Sequence, residues 1–227
     1  EYAYQLKKRG TEMRRDMEFD VVNTYNKQTT SGARQTGGYQ AFVNSGDTCV
    51  FKGAFTATST PNVGTSVITV ASGAAKAALA LTDIDSVMQK IYENGGSATR
   101  IMVSPKLRRD FSDLMVSDTG VRRNIDEDGK LRQSVDVYMS DFGDLMVVPN
   151  YIMGLAHTTT DATTTQFDAA DSAALIYDPQ WFAMATLRPM QEVEVGQKGD
   201  STVGMFVEEW SLEVKNPKGC GAVYGLT

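Results

Sequence analysis

Residues 1–26 constrain the fold of this chain more than any other stretch. Apolar or small residues recur at Tyr2, Leu6, Gly10, Met13, Met17 and Val21. Spacings of three and four keep them on one stripe of an α-helix. Lys7, Lys8, Arg9, Glu12, Arg14, Arg15, Asp16, Glu18 and Asp20 crowd the other faces. At ~1.5 Å per residue such a helix spans roughly 39 Å. Lys8–Glu12 and Arg14–Glu18 sit four apart, so each pair is expected to meet, adding ~0.2–0.5 kcal/mol. A long polar helix with a narrow apolar stripe reads as a strut laid on a surface. It starts without an N-cap or a preceding loop, so further chain is expected in front of it.

The 227 residues fit one large domain or two small ones. The hydrophobic fraction of 41% can supply a core. No apolar run approaches the ~20 residues of a helical membrane span, and no secretory signal pattern opens the chain. A net charge of −6 argues against a dedicated nucleic-acid binder, while leaving room for a local basic patch. Cys49 and Cys220 make no disulfide framework and are expected to be free thiols in a reducing compartment.

Further along, residues 49–57 read as a strand interrupted at Gly53, and 67–70 as another short apolar run. Residues 81–96 give the clearest helix. Ile84, Val87, Met88, Ile91 and Tyr92 fit the helical template. Thr82 is the expected N-cap with Asp85 closing a capping box, and Gly95-Gly96 the expected stop. A short strand at 100–103 leads to Ser104 and Pro105, a cap and a first helical position. Leu107, Phe111, Leu114 and Met115 form the apolar face that follows. Residues 117–133 are a long charged loop, and 135–148 a hairpin turning at Ser140-Asp141-Phe142-Gly143. After a threonine-rich tip at 158–166 come strands at 173–177, 182–187, 192–195 and 204–215. The mixture is α+β with a late cluster of antiparallel strands.

Candidate chemistry is sparse. His157 is the single histidine and lies beside the threonine-rich tip, a poor place for a catalytic triad. Residues 124–129 half match a calcium loop, but the twelfth position is Val135 where that loop needs a bidentate Glu. No phosphate-binding glycine loop occurs, and no cofactor or metal is expected. Glu208 and Glu209 are consecutive in a strand pattern and so face opposite ways. Arg108-Arg109 and Arg122-Arg123 read either as solvated charge or as partners for acids on a neighbouring copy. Asp126, Glu127 and Asp128 on the same loop as Arg122 and Arg123 would let identical subunits pair around a ring.

Several segments, taken in order, resemble one family. They are EYAYQLKKRGTEMRRDMEFDVV, GARQTGGYQAFV, TDIDSVMQKIYENGG, IMVSPKLRRDF, RRNIDEDGKLRQSVDVYMSDFGDLMVVPN, ALIYDPQWFAMATLRPMQ and EEWSLEVKNPKGCGAVYGL. The set is similar to the major head (capsid) proteins of tailed bacteriophages with the Hong Kong 97-type fold, in the branch of the phage SU-ten head protein. The resemblance implies an α+β fold with a long spine helix, a peripheral domain with a β-sheet, and an axial domain of mixed sheet and helices. On that layout residues 1–73 are peripheral, 74–171 axial, and 172–227 return to the peripheral domain as antiparallel strands. Residues 117–133 would line the five- or six-fold axis, placing Arg122, Arg123, Asp126, Glu127 and Asp128 where copies meet. The family's N-terminal arm and extended two-stranded loop have no counterpart here. Its lysine–asparagine crosslink therefore does not carry over.

The implied function is structural. The chain would assemble with itself into hexamers and pentamers of an icosahedral head around double-stranded DNA. Scaffold, portal and decoration proteins would be its partners, the virion its location, the bacterial cytoplasm its place of assembly, and no membrane would be involved. A tail-tube or decoration protein is the alternative among virion components, but the helices at 1–26 and 81–96 speak against such β-dominated proteins. An acidic intracellular enzyme is the other alternative.

Overall fold

The computed structural model describes residues 2–23, 36–53, 55–56, 69–70, 76–118, 136–154, 172–195, 199 and 203–227. The opening stripe folds as its spacing demands. Helix α1 (Tyr2–Asn23) partly buries Leu6, Gly10, Met13, Met17 and Val21 and leaves most charged positions exposed. Its last turns meet the single-turn helix α2 (Tyr39–Phe42) and a 3-10 turn at Ile152–Gly154. The two expected ion pairs do not form. Glu12 pairs with Arg9 at 2.7 Å, because a partner three residues away is equally reachable on a helix. Glu18 accepts from Asn150 Nδ2 at 2.9 Å, where the chain between residues 149 and 152 returns to the helix.

The core is built on one mixed sheet. Its strands are β1 (Cys49–Phe51), β4 (Arg100–Val103), β5 (Val137–Ser140), β6 (Gly143–Pro149), β7 (Ala173–Tyr177) and β10 (Gly221–Tyr224). Their order is β1-β10-β7-β4-β6-β5, with β1–β10 and β4–β6 parallel and the other pairs antiparallel. Strands from all three parts of the sequence thus join one sheet. β7, expected among the late antiparallel strands, and β10, which the sequence had not marked as a strand, lie inside it between β1 and β4.

Strand alternation sorts the side chains into two layers. Ile101, Val103, Leu145, Val147, Ala174, Ile176 and Val223 meet helices α3 (Leu81–Glu93) and α4 (Pro105–Asp118). Ala173, Leu175, Ala222 and Tyr224 face Val22, Tyr39, Val43 and Met153 on the other side. Each fully buried Ile, Leu or Phe in these layers contributes ~1.5–3 kcal/mol. The Tyr39 hydroxyl donates to Ile176 O and Gly221 O, and the Tyr224 hydroxyl to Val43 O at 2.5 Å, so both buried phenols are satisfied. Gly221 lies so close under α3 that a Cβ there would stand 2.6 Å from Val87 Cγ1.

The start of α3 differs from expectation. Leu81 is already helical, so the box is shifted by two residues: Asp83 Oδ2 accepts from Ala80 N–H at 2.9 Å and pairs with Lys52 Nζ at 2.6 Å. Asp85 instead accepts from the Tyr138 hydroxyl at 2.7 Å, tying α3 to β5. Ile84, Val87, Met88 and Ile91 are buried, but Tyr92 turns outward and rests near Phe142. The helix stops as expected. Gly95 has φ 77°, and the amides of Gly95 and Gly96 donate to Tyr92 O and Ile91 O, the double bond pattern of a Schellman cap. Ser104 caps α4 by accepting from Leu107 N–H at 3.3 Å.

Gly53, at φ 67°, separates β1 from β2 (Phe55–Thr56), which pairs with β3 (Thr69–Val70). A separate ribbon consists of β8 (Phe182–Val195) and β9 (Val203–Val214). Two strands were expected at 182–187 and 192–195; one strand runs through both. Its register shifts between Thr186 and Arg188 and between Arg188 and Gln191. Pro189 falls inside the second shift, where its missing N–H is absorbed by a bulge rather than ending the strand. The ribbon lies beside α1: Tyr2 donates to Glu192, and Met190 Sδ would sit 3.7 Å from a Cβ on Gly10.

Candidate subunit-interaction surfaces

Of the seven residues expected at an intersubunit contact, two lie among the described residues. Arg108 and Arg109 are adjacent on α4 and therefore point in different directions. Arg108 is turned into its own chain, where Nη2 donates to Asp136 Oδ1 at 2.9 Å. Its Nη1 is buried without a partner among the described residues. That contact holds the first residue before β5 against α4. Arg109 is outward: its side chain is 75% exposed and its one carboxylate neighbour, Asp110, is 3.7 Å away. Such a contact contributes little, which leaves the guanidinium open to a second molecule. Arg122, Arg123, Asp126, Glu127 and Asp128 lie outside the described residues, as do the calcium-like segment, His157 and the threonine-rich tip.

The buried ionisable groups serve packing rather than chemistry. Cys49 and Cys220 are free and buried. Burial pushes the Cys49 thiol from its ordinary 9.0 up to about 12, and the Cys220 thiol up to about 11. Thiols held neutral in this way are poor nucleophiles. Burial likewise raises Tyr39 and Tyr224 well above the usual phenol range. Among the described residues no cluster of His, Cys, Asp and Glu could hold a metal ion, and no helix is long and apolar enough to cross a membrane.

Two apolar surfaces escaped the sequence-based expectations. On β5 and β6 the residues Tyr138, Leu145 and Val147 face the helices, which leaves Val137, Met139 and Met146 on the opposite face. Nothing among the described residues covers that face there, and Met139 is 75% exposed. The second surface is on the β8–β9 ribbon, where the paired Val193 and Met205 are exposed, as are Leu187 and Met184. A signal existed for the first. Apolar residues occupy both parities of 137–139 and 145–148, a pattern of strands covered on both faces. Here the chain itself covers only one.

The fold is similar to that of the holo-SrpI encapsulin from Synechococcus elongatus PCC 7942, with 9% identity and a TM-score of 0.59 over 100% of this chain and 66% of that one. Two phage shells match more loosely. The capsid of cyanophage P-SCSP1u shares 12% identity, with a TM-score of 0.47 over 98% of this chain and 64% of that one. The mature capsid of bacteriophage PhiM1 shares 12% identity, with a TM-score of 0.49 over 99% and 64%. This chain thus spans no more than 66% of the length of any of these three. No curated protein matches it in sequence.

The family model for the SU10 major capsid protein matches residues 1–227, and the chain belongs to that family. Its arrangement is α+β, and the family is one of structural capsid proteins rather than enzymes.

Proposed function

We propose that the chain acts as the repeating subunit of a phage head, forming hexamers and pentamers that close an icosahedral shell around double-stranded DNA. The observation that carries this reading is the family match along residues 1–227. The two uncovered apolar surfaces support it, because they are unlike each other and lie on different sheets. A contact between unlike surfaces is heterologous and closes rings when the rotation permits. Each contact must outweigh a ~4–15 kcal/mol loss of rigid-body freedom, and many modest contacts per subunit achieve this together.

In the same reading α1 and the β8–β9 ribbon form the peripheral part, spanning portions of residues 1–73 and 172–227. The helices and strands of residues 74–171 form the axial part, with β7 and β10 threading back through the axial sheet. Residues 117–133 border the symmetry axis, where Arg122, Arg123, Asp126, Glu127 and Asp128 pair between copies, flanked by Arg109. Scaffold, portal and decoration proteins are the further partners. Assembly takes place in the host cytoplasm and the virion is the final location.

The test is electron microscopy of the full-length polypeptide co-expressed with its scaffold. Rings and closed shells are expected. Monomers that persist under every assembly condition would overturn the reading.

A further inference from the structure

Helix α1 carries a concentration of positive charge that its own fold does not use. Residues 7–15 hold five cations and one carboxylate, a net +4 within a chain of net −6. The lone carboxylate, Glu12, is taken by Arg9. Glu18, the next acid that could reach Arg14, accepts instead from Asn150. Lys7, Lys8, Arg14 and Arg15 are all exposed, and none pairs with a carboxylate among the described residues.

Helical geometry gathers these four into one patch. Residues seven apart nearly eclipse, so Lys7 stands over Arg14 and Lys8 over Arg15. The two rows fall within about 120° of the helix circumference and about 12 Å of its length. The apolar stripe lies to one side, against the rest of the molecule. Tyr4 is the single large apolar group within the patch, and Thr11 fills its centre.

The nature of the patch selects the occupant. A protein partner would be held by buried aromatic or aliphatic anchors with a polar rim, whereas this patch sets four cations around Thr11. A phosphate backbone needs only charge, presented along a line.

We infer that the Lys7, Lys8, Arg14 and Arg15 face of α1 binds the phosphate backbone of double-stranded DNA without regard to sequence. The inference rests on the proposed role as a shell around DNA and gives that role a wall contact. In a subunit of net negative charge, such a face would hold DNA against one element while the remaining surface repels it.

The test is fluorescence anisotropy of this chain with a labelled random-sequence duplex over a salt series. Four phosphate contacts predict a slope of log K against log salt of about −3.6, or about a 150-fold loss of affinity from 50 to 200 mM salt. The variant carrying Lys7→Gln, Lys8→Gln, Arg14→Gln and Arg15→Gln should lose that salt dependence. Lys8→Gln with Arg15→Gln, a milder change for the fold, should halve it. Lys106→Gln with Lys218→Gln, both exposed and off α1, should leave it unchanged. A wild-type slope no steeper than that of the double α1 variant would overturn the inference. So would binding to poly-glutamate in preference to the duplex. Shell formation is scored separately: shells without salt-dependent duplex binding sink only this inference, and duplex binding without shells sinks only the capsid reading.

Discussion

The central sheet and the β8–β9 ribbon handle the same problem in opposite ways. The sheet buries side chains on both faces, with Ile101, Phe111 and Ile176 fully enclosed on one side and Tyr224 on the other. The ribbon has two strands and α1 beside it, and leaves Leu187 78% exposed. A two-stranded ribbon is marginal by itself in water. The centre of the sheet is completed by its own chain, whereas the β5–β6 edge, the ribbon and α1 keep surface in reserve for another molecule. That division is what a shell subunit requires: one part must fold before assembly, and another must gain from it.

The largest expected effect contrasts the two regions directly. Phe111→Ala empties the layer between α4 and the sheet and should cost ~3–5 kcal/mol. Leu187→Ala on the ribbon should stay within ~0.5 kcal/mol in the isolated chain. Denaturant midpoints of the two variants measure this, and equal losses would erase the distinction.

A smaller effect probes how the sheet is tied to α3. Asp83 both accepts from Ala80 N–H and pairs with Lys52, whose ammonium also donates to Ala78 O at 2.8 Å. Asp83→Ala should cost ~1.5–3 kcal/mol, the range for hydrogen bonds to charged groups. Thr82→Ala, at the position expected to cap the helix, should change little. Thermal melts of the pair decide which residue holds the helix start.

The mildest contrast is in pH. Cys49 has its thiol pKa raised from 9.0 to about 12 in the folded chain, by burial, and Cys220, Tyr39 and Tyr224 shift in the same direction. Below pH 9 the thiols are neutral in both states and contribute a constant term. Above it the unfolded chain releases protons that the folded chain retains, so stability falls from about pH 9 toward pH 12. Melting temperature against pH should therefore be flat on the neutral side and decline on the alkaline side. Cys49→Ala with Cys220→Ala should flatten part of that decline, and a Cys49 thiol that reacts readily with a thiol reagent at neutral pH would contradict the burial.

Much of the sheet unit was legible in the sequence because its signals are local. Periodicity located α1, α3 and α4, Gly95 marked the end of α3, and Ser104-Pro105 marked the start of α4. The errors arose where tertiary contact overrode a local pattern. Asp85 fits a capping box by spacing, but Tyr138 claims it from another strand. Glu12 and Glu18 each had an expected partner four residues away, and each found a different one. The interaction surface was less legible still. Arg108 and Arg109 look alike in sequence, yet one is turned onto Asp136 and the other points outward with only a 3.7 Å contact to Asp110 among the described residues.

The sequence alone located α1, α3, α4 and most of the strands, the apolar stripe of α1 and the family, since each depends on residue order along one stretch or a set of stretches. The tertiary structure alone decided that β7 and β10 lie between β1 and β4, which sheet face is left open at Met139 and Met146, and which cations of α1 have no carboxylate partner among the described residues. These are pairings between residues far apart in the chain, and no local pattern encodes which distant group will arrive first at a given side chain.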